Sequence, residues 1–539
     1  MSGLARLLRA RAVVYALALF GTPVLHGLCF PPLRLHWLAW IAFVPWFAAI
    51  RLARLGPALL ITSWTTLLGA YLCATWLPTA VANYYSQPLI VGIVLFVGVW
   101  AVTVAPSVLV FTAGYRLLAR HTFRRSTRLL LPLLAGAVWA GAELGRVRLF
   151  VGDPFGLFGY SQVPVAPLVQ IADVTGVYGI SWMLAAVNIA LAELWLALSW
   201  GTRPRREAVA GLGVAAGAVA GVAAYGLVRL HAVDLSSAAP PTRIAVVQAN
   251  LDLGSQWRRE FYGRNLDAYM RLTLQVLREQ HPALVFWPES SMTFFLADEP
   301  LYQKAIGQVL LLNEAQLVAG GPRATGDEPQ QYYYNTGFLL APDGHIVAAY
   351  DKQRLLPFAE YFPFASIGLL RRQFARVREF TPGGAATLLP TVAGAAGVVI
   401  CNEVMFGEMV ADRVRDGAAY IINLANDSWL GDANYAEQVL DMARLRAVEE
   451  RRFLVRASTS GPSAIVDPLG RVMVRTQPES RAVVSGMISG RSMMTFYGRF
   501  GDVFGVLCVL VPLAVGLSLA VGLSKVVPTG DQVTDTANE

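Results

Sequence analysis

The stretch AAGVVICNEV, residues 395–404, runs apolar for six residues and then turns abruptly to Cys401, Asn402 and Glu403. An apolar run this short, rich in Val and Ile, reads as a strand buried on both faces. Polar residues at its end leave the sheet for a loop, which is where α/β sheets collect their chemistry. AAYIINLANDSW (418–429) repeats the pattern and ends in Asn426-Asp427. ALVFWPESS (283–291) does so again and ends in Glu289.

Outward from these, TRIAVVQANL (242–251) and AQLVAGGP (315–322) read as further buried strands, and residues 258–280 and 434–456 as helices. TGFLLAPDGHIVAAYDK (336–352) predicts a hairpin turning at Pro342-Asp343-Gly344, and residues 463–476 a second one. Apolar strands interleaved with helices imply an α/β layered domain with both sheet faces covered, over residues 231–500. SSAAPP (236–241) is its leading linker.

The rest of the 539 residues is of another kind. The chain is 55% hydrophobic and only 15% charged, with a mean hydropathy of +0.48, whereas soluble proteins carry roughly a quarter charged residues. That excludes an ordinary soluble enzyme and a disordered chain. Spanning a bilayer takes about 20 predominantly apolar residues. Stretches near 12–30, 36–50, 57–77, 88–115, 129–145, 178–200 and 208–228 qualify, and one more lies near 503–524. The expectation is a polytopic α-helical membrane protein of about eight spans: seven in residues 1–230 and the eighth in 501–539.

Lys and Arg alternate between the loops. Arg6, Arg9 and Arg11, then Arg51 and Arg54, then Arg116 to Arg128, then Arg203 to Arg206 fall on one side, and the intervening loops are poor. The positive-inside rule puts both termini in the cytoplasm and the α/β domain outside it. The net charge of +8 is thus mainly topological and calls for no nucleic acid. Residues 1–30 read as an uncleaved anchor rather than a signal peptide. GLGVAAG (211–217) lies inside an apolar span, where small residues allow close helix approach, and is no nucleotide fingerprint.

Cys29, Cys73 and Cys508 fall in or beside apolar spans and read as small buried hydrophobes. Cys401 is the only cysteine of the exported domain: either inert and buried, or kept as a reactive thiol. Glu289, at the apolar end of a strand, is either a general base or a salt-bridge partner. Lys352 is either a fixed charge near a thiol or an ordinary strand-end lysine. Glu360 is either its orienting partner or a loop carboxylate. The six histidines show no metal-ligand spacing and no Cys-His dyad, so no metal or cofactor is expected. Arg444, Arg446, Arg451 and Arg452 suggest a solvated or interdomain face. MTFF (292–295) and LLPFAEYFPFASIGLL (355–370) are too apolar for free loops and suggest lids or feet on lipid.

In order, Glu289 in WPES, Lys352 in YDKQRLLPFAEYFP and Cys401 in ICNE resemble the Glu-Lys-Cys set of the nitrilase (carbon–nitrogen hydrolase) superfamily, whose fold is an αββα sandwich. With spans on both sides, the whole chain resembles the apolipoprotein N-acyltransferase family of bacterial inner membranes. Gln248-Ala249-Asn250, Trp257, NLANDSW and TFYGRFGD (495–502) extend the match. The resemblance implies a periplasmic catalytic domain and a two-step acyl transfer. Cys401 would take the sn-1 acyl chain of a phospholipid, usually phosphatidylethanolamine, and pass it to the α-amine of a diacylglyceryl-cysteine apolipoprotein. Glu289 would be the base, and Lys352 with the Asn402 N–H the oxyanion holder. Glu360 and Glu403 would support the site, and Trp257, Phe358, Tyr361 and Trp429 would contact acyl chains or gate entry. Asn402 departs from the family's usual aromatic. A membrane-tethered amidase and a non-catalytic scaffold are the competing readings.

Overall fold

A computed structural model describes residues 3–121, 125–232, 240–251, 259–326, 330–363, 368, 379–428 and 430–524. Twelve strands form two six-stranded sheets. The first has the order β12-β1-β2-β3-β4-β5, with β1 Thr242–Gln248, β2 Leu284–Phe286, β3 Gln316–Thr325, β4 Tyr332–Leu340, β5 Ile346–Asp351 and β12 Ala482–Ile488. The second has the order β11-β10-β9-β8-β7-β6, with β6 Leu389–Thr391, β7 Gly394–Ile400, β8 Tyr420–Ala425, β9 Leu454–Ser458, β10 Ala464–Val466 and β11 Val472–Arg475. In each sheet the central strands are parallel and the outer ones antiparallel.

Side chains alternate across a strand, and both faces of these strands are apolar. Ile244, Val246, Phe286, Val398, Ile400, Ile422 and Val455 meet between the sheets. Val247, Val285 and Leu317 point outward instead, under helices Arg259–Gln280 and Pro300–Leu310. On the second sheet Val399, Ile421 and Leu454 point outward, under helices Gly407–Arg415 and Ala433–Glu450. The layers are therefore αββα. That second helical layer shares one continuous core with the N-terminal helices.

Five helices among the described residues are long and apolar enough to cross a membrane: Ala10–Leu28, Leu55–Cys73, Arg128–Arg148, Val177–Trp200 and Arg205–Ala232. The expected span at 88–115 is broken, Leu89–Thr103 and Ala105–Arg120 meeting at 43°. The stretch at 36–50 is a shorter apolar element, His36–Leu52, as is Val503–Leu517.

Two local readings need correction, and a third, open between a solvated and an interdomain face, is decided. The helix expected over 434–456 stops at Glu450, because Arg451 takes a left-handed conformation (φ 51°) and releases the chain into β9. Arg446, Arg451 and Arg452 are buried, not solvated. Arg451 reaches Asp173 of the helical region at 2.8 Å, so this face is an interdomain one. MTFF is no lid, since Met292 and Phe294 are buried in the core outside the first sheet.

Candidate active site

Three chain reversals bring the site together. Trp287 N–H bonds Val318 O, and the turn carrying Glu289 then lies directly on β3. A Cβ on Gly320 would stand 2.6 Å from Glu289 Cα, so only glycine permits this approach. Lys352 follows β5, its N–H held by Asn335 O at 2.8 Å. Cys401 follows β7 and opens the short 3₁₀ turn Cys401–Met405 with a left-handed φ of 52°. Such a conformation is costly for a non-glycine residue and persists only where the surroundings impose it.

Glu289, Lys352, Glu360 and Cys401 are all buried. Lys352 Nζ lies 2.7 Å from Glu360 Oε2 and 4.0 Å from Glu289 Oε1. Glu360 therefore partners the lysine as the sequence allowed, and Glu360 Oε2 also accepts from Leu356 N–H. Burial opposes the charged form of Lys352, but Glu360 and Glu289 outweigh it and hold the ammonium above its ordinary pKa. Burial pushes Glu289 up to about 7 against the opposing pull of Lys352, into the range of a general base. Burial and the adjacent Glu289 also push the Cys401 thiol up, with Lys352 opposing. Glu289 Oε2 has no other partner among the described residues, and the interaction of the carboxylate with the Cys401 side chain favours its charged form.

Sequence reasoning missed Asn335. Its carboxamide nitrogen donates to Glu289 Oε1 at 2.6 Å and to Glu360 Oε1 at 2.8 Å, while its backbone carbonyl accepts from the Lys352 N–H. The signal available was its register: Thr336 pairs with Asp351, which puts Asn335 opposite Lys352. Tyr350 was missed as well; its hydroxyl donates to Glu403 at 2.9 Å.

Glu403 is fully buried and accepts from the N–H groups of Ile400, Gln353 and Arg354 at 2.7–2.9 Å. It ties the Cys401 turn to the segment after Lys352. Asn402 lies beside the thiol, its Nδ2 3.4 Å from Arg354 O. Asp427 is held at the end of β8 by Arg456 and Ser458 at 2.7 and 2.5 Å, a structural brace. Trp257 and Trp429 lie outside the described residues.

A cavity of about 1120 Å³ opens beside this cluster. Asn402, Met405, Phe406 and Tyr435 wall it on the domain side, and Trp76, Tyr85, Trp100 and Phe150 on the helical side. Leu355, Leu356, Phe358 and Tyr361, from the apolar segment after Lys352, also line it. Tyr435 meets Trp76 edge to face at 4.8 Å, which joins the two walls. Away from Cys401, His26 Nδ1 lies 3.4 Å from Cys73 Sγ on the same wall, a Cys–His contact that the spacing of those residues did not predict. Among the described residues, no cluster of His, Cys, Asp and Glu could hold a metal ion.

A buried Glu-Lys-Cys set at the strand ends of an αββα sandwich defines a domain of the carbon–nitrogen hydrolase class, here seated on apolar helices. The carbon–nitrogen hydrolase model matches residues 243–493, and the apolipoprotein N-acyltransferase N-terminal domain model matches residues 23–190. The apolipoprotein N-acyltransferase of Geobacter metallireducens is 33% identical over 496 residues, 90% of this chain and 91% of that protein. Its namesakes from Nitrosomonas europaea (29% identical, 69% of this chain, 71% of that protein) and Chlorobaculum tepidum (27%, 93% and 96%) also match. The chain belongs to the apolipoprotein N-acyltransferase family. Among solved structures, an amidase from Nesterenkonia sp. is 18% identical, covering 48% of this chain and 94% of that one, with a TM-score of 0.35.

Proposed function

We infer that the chain N-acylates lipoproteins in the bacterial inner membrane, with a phospholipid, phosphatidylethanolamine by preference, as acyl donor. In the first step Glu289 takes the Cys401 thiol proton and the thiolate attacks the sn-1 ester carbonyl. Lys352 and the Asn402 N–H hold the oxyanion. Collapse expels the lysophospholipid alkoxide, which takes the proton from Glu289 and leaves a thioester on Cys401. In the second step the neutral α-amine of a diacylglyceryl-cysteine attacks the thioester and gives its proton to Glu289. Cys401 leaves as thiolate and is reprotonated. Phe358 and Tyr361 contact or gate the acyl chains. No cofactor enters either step.

One observation carries this reading: the large, mainly apolar cavity runs from the helical region to the residue beside the thiol. A small amide has no use for it, whereas an acyl chain does. The Lys/Arg pattern supports eight spans, with residues 231–500 periplasmic, the last span in 501–539 and both termini cytoplasmic. Among the described residues, five helices and one bent pair are long and apolar enough to cross a membrane, and the shorter apolar elements His36–Leu52 and Val503–Leu517 fall where the other two spans are proposed.

Intact mass spectrometry after incubation with phosphatidylethanolamine tests the chemistry. The expected result is a fatty-acyl adduct on Cys401 that a diacylated lipopeptide clears, and none on Cys401→Ser. Absence of any adduct on the wild-type thiol overturns the reading.

A further inference from the structure

Arg354 stands two residues beyond Lys352, on the cavity wall. Its guanidinium lies over the Phe406 ring at 3.6 Å and donates to Val151 O, while its own carbonyl accepts from Asn402 Nδ2. Val151, Phe406 and Asn402 line the same cavity, so the side chain is fixed in the wall rather than trailing into solvent.

Its neighbours on that wall and at its rim are neutralised. Arg146 pairs with Asp153 at 2.8 Å, and Arg148 pairs with Asp502 at 2.5 Å and with Glu408. Among the described residues, Arg354 alone of these three has no carboxylate in ion-pair range. A half-buried guanidinium against an apolar cavity is costly while unpaired. The space in front of it therefore favours an anion.

The geometry points to a phosphodiester. A planar guanidinium takes two phosphate oxygens side by side. In a glycerophospholipid the phosphodiester is only a few bonds from the sn-1 ester. Arg354 is two residues from Lys352, and its backbone carbonyl accepts from the Asn402 side chain next to Cys401, which keeps this part of the wall close to the thiol. We propose that Arg354 grips the phosphodiester of the acyl donor, so that the cavity selects phospholipids over phosphate-free glycerides. This rests on the phospholipid-donor reading above.

The test is single-turnover acylation of Cys401 in the full-length protein, followed by intact mass, with phosphatidylethanolamine or a diacylglycerol of the same chains. Wild type is expected to favour the phospholipid, and Arg354→Gln to lower that preference ratio at least tenfold. Arg354→Lys, which keeps the charge and covers the case of a poorly folding Gln variant, is expected to keep at least a third of it. Glycerophosphoethanolamine is expected to compete in wild type and inorganic phosphate is not. An unchanged ratio in Arg354→Gln, or competition by inorganic phosphate alone, overturns the proposal. If wild type forms no adduct with either lipid, the acyltransfer reading itself falls, which is a different result from an adduct formed without preference.

Discussion

The two sheets contribute unequally to the site. The first sheet supplies Glu289, Lys352 and Asn335, and its outer helix Arg259–Gln280 turns a charged face outward, with Arg264, Arg271 and Arg278 exposed. The second supplies Cys401, and its outer helix Ala433–Glu450 is buried from Gln438 to its end, with Arg444 alone half-buried. That burial includes Glu449 and Glu450, which a free surface helix would leave in water. The difference teaches where the substrate comes from. The nucleophile rides on the sheet fixed to the apolar helices, and the acid–base pair closes over it from the other side.

Removing the reacting groups gives the largest effect. Cys401→Ala is expected to abolish acyl-enzyme formation. Glu289→Gln should lower acylation by about 10²–10⁴-fold, the usual worth of a positioned general base. Because burial raises Glu289 to about 7, the carboxyl keeps its proton below that pH and cannot accept the thiol's. Wild-type acylation should therefore climb as pH rises through about 7, and the Gln variant should lose that rise. A wild-type rate flat from pH 5 to 8 would remove Glu289 from the role of base.

The fixed side of the comparison breaks at the junction. Arg451 and Asp173 are buried and 2.8 Å apart, and Arg451 also donates to Gln170 Oε1 at 2.5 Å. Arg451→Met takes one of two arginines from the buried Asp173 carboxylate, leaving it Arg229 at 2.7 Å and the Tyr225 hydroxyl. Breaking a buried pair outright costs about 3–5 kcal/mol; Arg229 offsets part of that, and thermal unfolding in detergent should still show a drop in Tm. No change would mean that the sandwich is not held at this junction.

Much of this was legible because it is local. The apolar runs ending in Glu289 and Cys401 announce both strand and site, and the Asp343-Gly344 turn announces its hairpin. What the sequence hid is non-local. β12 is an edge strand, half-exposed over most of its length, that pairs with β1 from across the chain, so no buried apolar run marked it. The end of the helix at Glu450 carries no Gly or Pro, because an arginine takes the left-handed position. The arginines beyond it look like a surface until the helical region covers them. Asn335 resembles any polar strand residue, and only the register of β4 on β5 places it between two carboxylates.

That bridge gives the third prediction. Asn335→Ala removes a hydrogen bond that favours the ionised form of Glu289. A hydrogen bond to a charged group is worth about 1.5–3 kcal/mol, or about 1–2 pH units. The acylation profile should move alkaline by that amount, a shift that a merely loosened fold would not produce. Asn335→Asp adds a third carboxylate and should move it further in the same direction.

The smallest effect belongs to the outward face of the first sheet. Arg271 and Asp267 form an i,i+4 pair at 2.8 Å on helix Arg259–Gln280, with side chains 74% and 49% exposed. Water and salt screen such a pair, and isolated helical pairs of this kind contribute about 0.3–0.5 kcal/mol at most. Arg271→Ala should leave Tm within about 1 °C of wild type for a chain of this size and leave the acylation pH profile in place. Its neutrality beside the cost of Arg451→Met is the sharpest form of the comparison, since both remove an arginine from a helix or helix end that covers the sandwich. A large loss at Arg271 would mean that the outer helices are also covered in the membrane, and that the first sheet is not the open side.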